Sequence, residues 1–211
     1  MVRKKKTWTM LAGLVLYGLS ASMAYAIVIA VDPDDFIDGT DISNAFPGIT
    51  LSAIDGGNNI LLTPSVFSQT SSLASTGTQV FGHDGIFTQT WAQGLVADMR
   101  IDFAQATDFV SIDIIANNGS DPGFLEVFDS TGTLLDSFTT QGDLGSGVSE
   151  TATVSTASAN IAYVIASGLG GNDVALDNLR YNAVPLPSTL GLLSLGLAGI
   201  SYVGRRSKKN A

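Results

Sequence analysis

The sequence predicts an all-β domain, a two-sheet sandwich of jelly-roll type, flanked by an N-terminal signal helix and a short C-terminal transmembrane helix. Three observations predict it. Runs of four to nine apolar or β-branched residues alternate with clusters of Gly, Asn, Asp and Ser. No stretch between residues 27 and 183 shows a 3.6-residue apolar period with caps. Basic clusters abut apolar runs only at the two ends of the chain.

The first element is MVRKKKTWTMLAGLVLYGLSASMAYA, residues 1–26. Arg3 to Lys6 form a basic region, Trp8 to Leu19 an apolar one, and Ala24 and Ala26 a small-x-small site. That order is a secretory signal peptide cleaved after Ala26 by signal peptidase; the alternative is an uncleaved anchor. Residues 27–183 are one domain's worth of chain, long enough to bury a core. Strands are expected at 27–31, 48–54, 59–67, 79–81, 97–103, 109–116, 123–129, 133–140, 150–156, 161–167 and 174–181. Alternation places Val110, Ile112 and Ile114 on one face, and Ile161, Tyr163 and Ile165 on one face. Asp129–Gly132 (DSTG) reads as a hairpin turn with Gly132 at positive φ. SQTSSLASTGT, 68–78, reads as a polar flexible loop. About eleven short strands separated by turns argue for a sandwich.

The last element, residues 184–211, joins a proline box to an apolar run and a basic cluster. Leu190 to Val203 are 14 uncharged residues, a helix of roughly 21 Å. A bilayer core asks for about 20 residues. Arg205, Arg206, Lys208 and Lys209 would stay cytoplasmic, which leaves the domain outside the cytoplasm. The run is short for a permanent anchor and suits an address.

Charge narrows the functions. All nineteen acids, seventeen Asp with Glu126 and Glu150, lie in 27–183, where Arg100 and Arg180 are the only bases. Nineteen acids against two bases give that segment a formal charge of −17. Such a surface repels nucleic acid, so no nucleic-acid partner is expected. No cysteine is present, so the core holds without disulfides. Catalytic signals are weak. His83, in FGHDG, is the only histidine, reads as a surface loop residue, and has no G-x-S-x-G elbow to serve. Glu126 and Glu150 are the one conceivable glycosidase pair, set aside because Glu126 follows a strand pattern. GLGGND, 168–173, fits neither a dinucleotide fingerprint nor a calcium repeat. The chain reads as no enzyme.

Val184, Pro185, Leu186, Pro187 and Ser188, the helix to Val203, and Arg205-Arg206 together resemble the PEP-CTERM class of bacterial sorting signals, in its VPLPA variant. Leu186 replaces the usual central Glu and Ser188 the usual Ala. The resemblance implies recognition by an exosortase, processing near the proline box, release or attachment at the outer surface, and an exopolysaccharide-producing host. The alternative is an ordinary C-terminal anchor.

GFLEVFDSTGTLLDSF, IAYVIASG and VALDNLRY, with DDFIDGTDISNAFPGITLSA near the start, resemble jelly-roll modules of galactose-binding-like or carbohydrate-binding topology. In such modules a structural calcium often ties the first strand to the closing one. The resemblance therefore implies Asp35 or Asp38 near Asp177 on a Ca2+ ion. The Asp-rich stretch 31–41 supplies hard oxygen ligands, though not an EF-hand. Trp91, beside Gln89, Thr90 and Gln93, is the candidate glycan platform, with a buried sandwich Trp as the alternative. Two functions follow: an exported non-catalytic surface or matrix protein associated with exopolysaccharide or biofilm, or a carbohydrate-binding or adhesive module. A secreted hydrolase fits less well.

Overall fold

The structure, a computed structural model, describes residues 27–55, 64–84, 89–94, 97–118, 121–141 and 145–183. The expected signal and tail helices lie outside the described residues, with Ala24, Ala26, Val184, Pro185, Leu186, Pro187, Ser188, Arg205 and Arg206. Among the described residues no helix is long and apolar enough to cross a membrane.

The compact unit Ala26–Val184 holds eleven strands among its described residues. They are β1 (Ile27–Val31), β2 (Ile49–Ile54), β3 (Val66–Thr70), β4 (Gln79–His83), β5 (Asp98–Thr107), β6 (Phe109–Ala116), β7 (Gly123–Phe128), β8 (Leu134–Thr139), β9 (Ser149–Ser155), β10 (Ile161–Gly168) and β11 (Val174–Ala183). All pairings between strands are antiparallel. Sheet A runs β3-β4-β11-β6-β9, and β1 pairs with the C-terminal half of β11. Sheet B runs β2-β5-β10-β7-β8. Of the expected strand at 59–67, residues 59–63 lie outside the described residues, and β3 takes in Val66 and Phe67 and runs on to Thr70.

One core lies between the sheets. Val110, Ile112, Ile114, Leu176 and Leu179 reach it from sheet A; Leu51, Met99, Ile101, Leu125, Val164 and Ala166 reach it from sheet B. Each fully buried aliphatic side chain contributes about 1.5–3 kcal/mol relative to exposure. The alternation of β6 therefore sets its inner face as expected. That of β10 does not carry through. A register shift against β5 falls between Ile161 and Tyr163, so Ile161 stays in the core while Tyr163 and Ile165 join a separate outer cluster with Ile54 and Phe124. A bulge shifts the period-2 pattern by one residue and exchanges the faces beyond it.

Asp129–Gly132 closes the β7–β8 hairpin as expected. Gly132 has φ of +82°, and Asp129 Oδ1 accepts the Thr131 and Thr133 amides at 2.8 and 2.9 Å.

Candidate functional site

The segment 71–78 is packed, in contrast to the flexible loop its polarity suggests. Leu73 and Ala74 cover Val80, Ile115 and Ala175 on the outer face of sheet A. Beyond them the loop is gripped by carboxylates. Asp177 is fully buried. Its Oδ2 accepts the Ser75 and Thr76 amides at 2.9 and 3.0 Å and the Thr76 hydroxyl at 3.2 Å, with the Ser75 hydroxyl at 2.9 Å. Its Oδ1 accepts the Asn178 amide at 2.7 Å. Burial raises the Asp177 pKa, and the hydrogen bonds from Thr76, Ser75 and Asn178 pull it back. At the loop's far end Asp34 Oδ1 accepts the Thr78 and Gln79 amides at 2.8 and 3.1 Å. Gly77, at φ +51°, leaves room for that carboxylate; a Cβ there would overlap it.

Asp113 stands directly across the β6–β11 ladder from Asp177. Its Oδ1 accepts the Thr151 hydroxyl at 2.6 Å, and its Oδ2 the Asn178 side-chain amide at 3.0 Å. Asn178 reaches it because β11 bulges between Asp177 and Arg180 and Asn178 adopts φ of +50°. Asn tolerates that left-handed conformation better than most side chains.

The implied calcium set is not assembled. Asp35 and Asp38 are exposed, and Asp38 Oδ1 accepts the Thr70 amide at 2.7 Å. Asp177 is occupied by protein donors instead. Among the described residues no group of three or more His, Asp or Glu side chains is placed to hold a metal ion. The partners of Asp177 were hidden from sequence reasoning because they belong to the loop read as flexible.

Trp91 offers no glycan platform. It is fully buried in the core, donates its indole N–H to the Phe81 carbonyl at 2.8 Å, and lies 4.7 Å from the His83 ring. Its partly polar indole explains the site, since a buried Trp N–H needs an acceptor. His83 is likewise buried, not a surface loop residue. Its Nε2 and Nδ1 lie 2.9 and 3.1 Å from the Thr90 and Asp84 carbonyl oxygens. Glu126 stands in sheet B and Glu150 in sheet A, where Glu150 accepts the Gln141 amide.

The outer face of sheet B carries a mixed polar and aromatic row that the sequence did not single out. Asp102 takes Arg100 in a fork, with Nε and Nη2 both bonded and the shortest contact 2.7 Å. The Arg100 guanidinium lies 3.9 Å from the Tyr163 ring centre, and Tyr163 stacks on Phe128 at 4.8 Å. Glu126 follows on β7, across Ile165 from Arg100. Burial, then Asp98, raises the Glu126 pKa. Asp98 itself is 3% exposed, and its Oδ1 has no hydrogen-bond partner. The bulge that turns Tyr163 outward is what creates this row.

Comparison with known proteins bears on the tail first. Residues 183–209 match the PEP-CTERM protein-sorting motif. It marks an exported, surface-associated protein and implies processing by an exosortase. The match begins on Ala183, the last residue of β11. No curated protein matches the chain. Among solved structures the chain is similar to the K2 cleaved adhesin domain of Lys-gingipain, at 14% identity and TM-score 0.41, over 74% of this chain and 100% of that one. It is similar to the K1 cleaved adhesin domain of Lys-gingipain from Porphyromonas gingivalis W83, at 11% identity and TM-score 0.38, over 74% and 98%. It is similar to a family 29 carbohydrate-binding module, at 9% identity and TM-score 0.42, over 74% and 91%.

Proposed function

We propose, for a chain that carries a PEP-CTERM protein-sorting motif at residues 183–209, the role of a non-catalytic surface or matrix protein in an exopolysaccharide-rich layer. On this reading signal peptidase removes residues 1–26, the sandwich, of jelly-roll type, folds outside the inner membrane, and an exosortase processes the tail. The observation that carries the reading is the motif's start on the last residue of β11, so the address follows the folded domain with no linker between them. The test is fractionation of the host. The parent is expected at the surface or in the medium, shortened at its C-terminal end. Pro185→Ala with Pro187→Ala, or deletion of 184–211, should change its fraction and its mass. Parent-like distribution and migration of both variants would remove the address.

The Arg100–Asp102–Tyr163–Phe128 row favours a second reading, a carbohydrate-binding or adhesive module. Carboxylate and guanidinium groups bond sugar hydroxyls, and a ring such as Phe128 stacks on the apolar face of a pyranose. Glycan-array binding by the parent, lost in Phe128→Ala and Asp102→Ala, supports it. Retained binding in both variants places any glycan elsewhere.

A further inference from the structure

The Asp113–Ser75–Asp177 contact contains one hydrogen too few for two ionised carboxylates. Ser75 Oγ lies 2.8 Å from Asp113 Oδ2 and 2.9 Å from Asp177 Oδ2. A serine hydroxyl has a single hydrogen, so it donates to one carboxylate only. The other oxygen would then face the Ser75 lone pairs at hydrogen-bond distance. The two aspartates are also direct cross-strand partners, where like charges repel. Both are buried, which strengthens that repulsion.

We infer that Asp113, Ser75 and Asp177 form a proton-binding site that holds one proton between the two carboxyl groups. The balance is simple. One carboxyl O–H donates to Ser75 Oγ, the Ser75 hydroxyl donates to the other carboxylate, and the three groups carry a net charge of −1. Asp177 Oδ2 also accepts the Ser75 and Thr76 amides and the Thr76 hydroxyl, whereas Asp113 Oδ2 also accepts only the Asn178 side-chain amide among the described residues. No ion pair reaches either aspartate among the described residues. On β11, Arg180 Nε bonds Asn178 Oδ1 at 3.3 Å; on β9, Glu150 bonds Gln141; beyond the loop, Asp34 bonds Thr78 and Gln79. Burial and the nearby carboxylates favour uptake of a proton; Arg180 and the hydrogen bonds that Ser75, Thr76 and Asn178 donate to Asp177 oppose it.

Loss of that proton leaves two facing anions beneath residues 75–76 and loosens the segment they hold. The sign is fixed. The folded state binds a proton that the unfolded state releases at the ordinary aspartate value of about 4. The contribution of the shared proton to stability is therefore complete below about 4 and is lost as pH rises through the pair's upper step. That step belongs to the pair, not to either residue.

The experiment is a pH titration of the full-length chain labelled with 13C-aspartate. The side-chain carboxyl signals are assigned through Asp113→Asn and Asp177→Asn. The expected result is an upper step at the pair at least about one pH unit above 4, with the Ser75 and Thr76 amides exchanging faster above it. Ser75→Ala removes the bridge and should lower the step. Asp113→Asn, whose amide donates where a carboxyl O–H would, should abolish it and keep the amides protected. Two carboxyl groups that titrate together near about 4 overturn the inference. So does an upper step unmoved in Ser75→Ala. Should either variant fail to fold, the titration of the parent decides alone.

Discussion

Gly77 and Asp98 show how single positions carry the fold's tension. Gly77 combines positive φ with the Asp34 carboxylate where a Cβ would stand. Gly77→Ala should cost about 1–3 kcal/mol through backbone strain and displacement of Asp34 from the Thr78 and Gln79 amides, read as a lower urea midpoint. Asp98 is raised above the usual carboxylate range by burial, is pulled back by the Ser167 hydroxyl, and is raised further by Asp55. A raised folded value means that its favourable share is complete below the unfolded value of about 3.9 and disappears as pH climbs through the folded one. Asp98→Asn should therefore flatten the loss of stability above that value, and at pH 7 melt at or above the parent. Thermal melts of both proteins at pH 4 and pH 7 check the sign. A variant that loses more stability than the parent on going from pH 4 to pH 7 would contradict it.

At the scale of elements, β1 is the strand with the largest task for its length. Its five residues pair with Leu179–Ala183 of β11, and Val31 is buried in the core while Ile27 and Val28 are exposed. Removing Ile27–Val31 strips one edge from β11 and uncovers Leu179. The expected result is a stability lower by several kcal/mol, on the order of the change that unfolds a marginal domain, and concentration-dependent association, since an unpaired strand edge templates pairing with other chains. Sedimentation of the truncated and parent chains measures the second effect. The fork between Arg100 and Asp102 is a smaller matter. Both side chains are partly solvated, so Asp102→Ala should cost no more than about 1 kcal/mol in a denaturant titration, well below the effect of losing β1.

These elements also show what could be read in advance. The strands of sheet A were legible at Val110, Ile112 and Ile114 because a sheet with one face in the core imposes period two on its residues. The outward turn of Tyr163 was not, because a bulge depends on how β5 and β10 register and leaves no mark in the pattern of either. The grip of Asp177 on Ser75 joins residues 102 positions apart, and polar sequence near 68–78 resembles solvated loop whether or not an aspartate waits beneath it. Trp91 was ambiguous for a related reason: its polar neighbours Gln89 and Gln93 suit a surface, but its own backbone bridges to Val174 and its indole finds Phe81 inside. The tail was legible because an address is read as a linear string and needs no tertiary partner.

For the whole molecule the excess of acids is the dominant electrostatic fact. The segment 27–183 carries seventeen more acids than bases, and Arg100–Asp102 is the one ion pair among the described residues. Self-repulsion of that size opposes compaction, and salt screens it over about 10 Å at 0.1 M. Raising sodium chloride from about 10 mM to about 150 mM should lift the melting temperature by a few degrees. An unchanged or falling melt would show that local carboxylate hydrogen bonds, such as those at Asp34 and Asp129, outweigh the global term.

The pairing of Ile27 with Ala183 has a mechanical consequence. A tether attached after Ala183 pulls along the axis of β11, toward the end at which β1 begins. The hydrogen bonds from β11 to β1 on one side and β6 on the other lie across that pull. Force along a strand loads such a ladder in shear, so many bonds must fail together, whereas force across its end peels them one by one. A domain hung by its last strand is thus loaded in its stiffer direction. Single-molecule extension through Ala183 and a residue of sheet B should give a higher rupture force than extension through Ile27, because β1 is held by β11 alone while β11 is held on both sides.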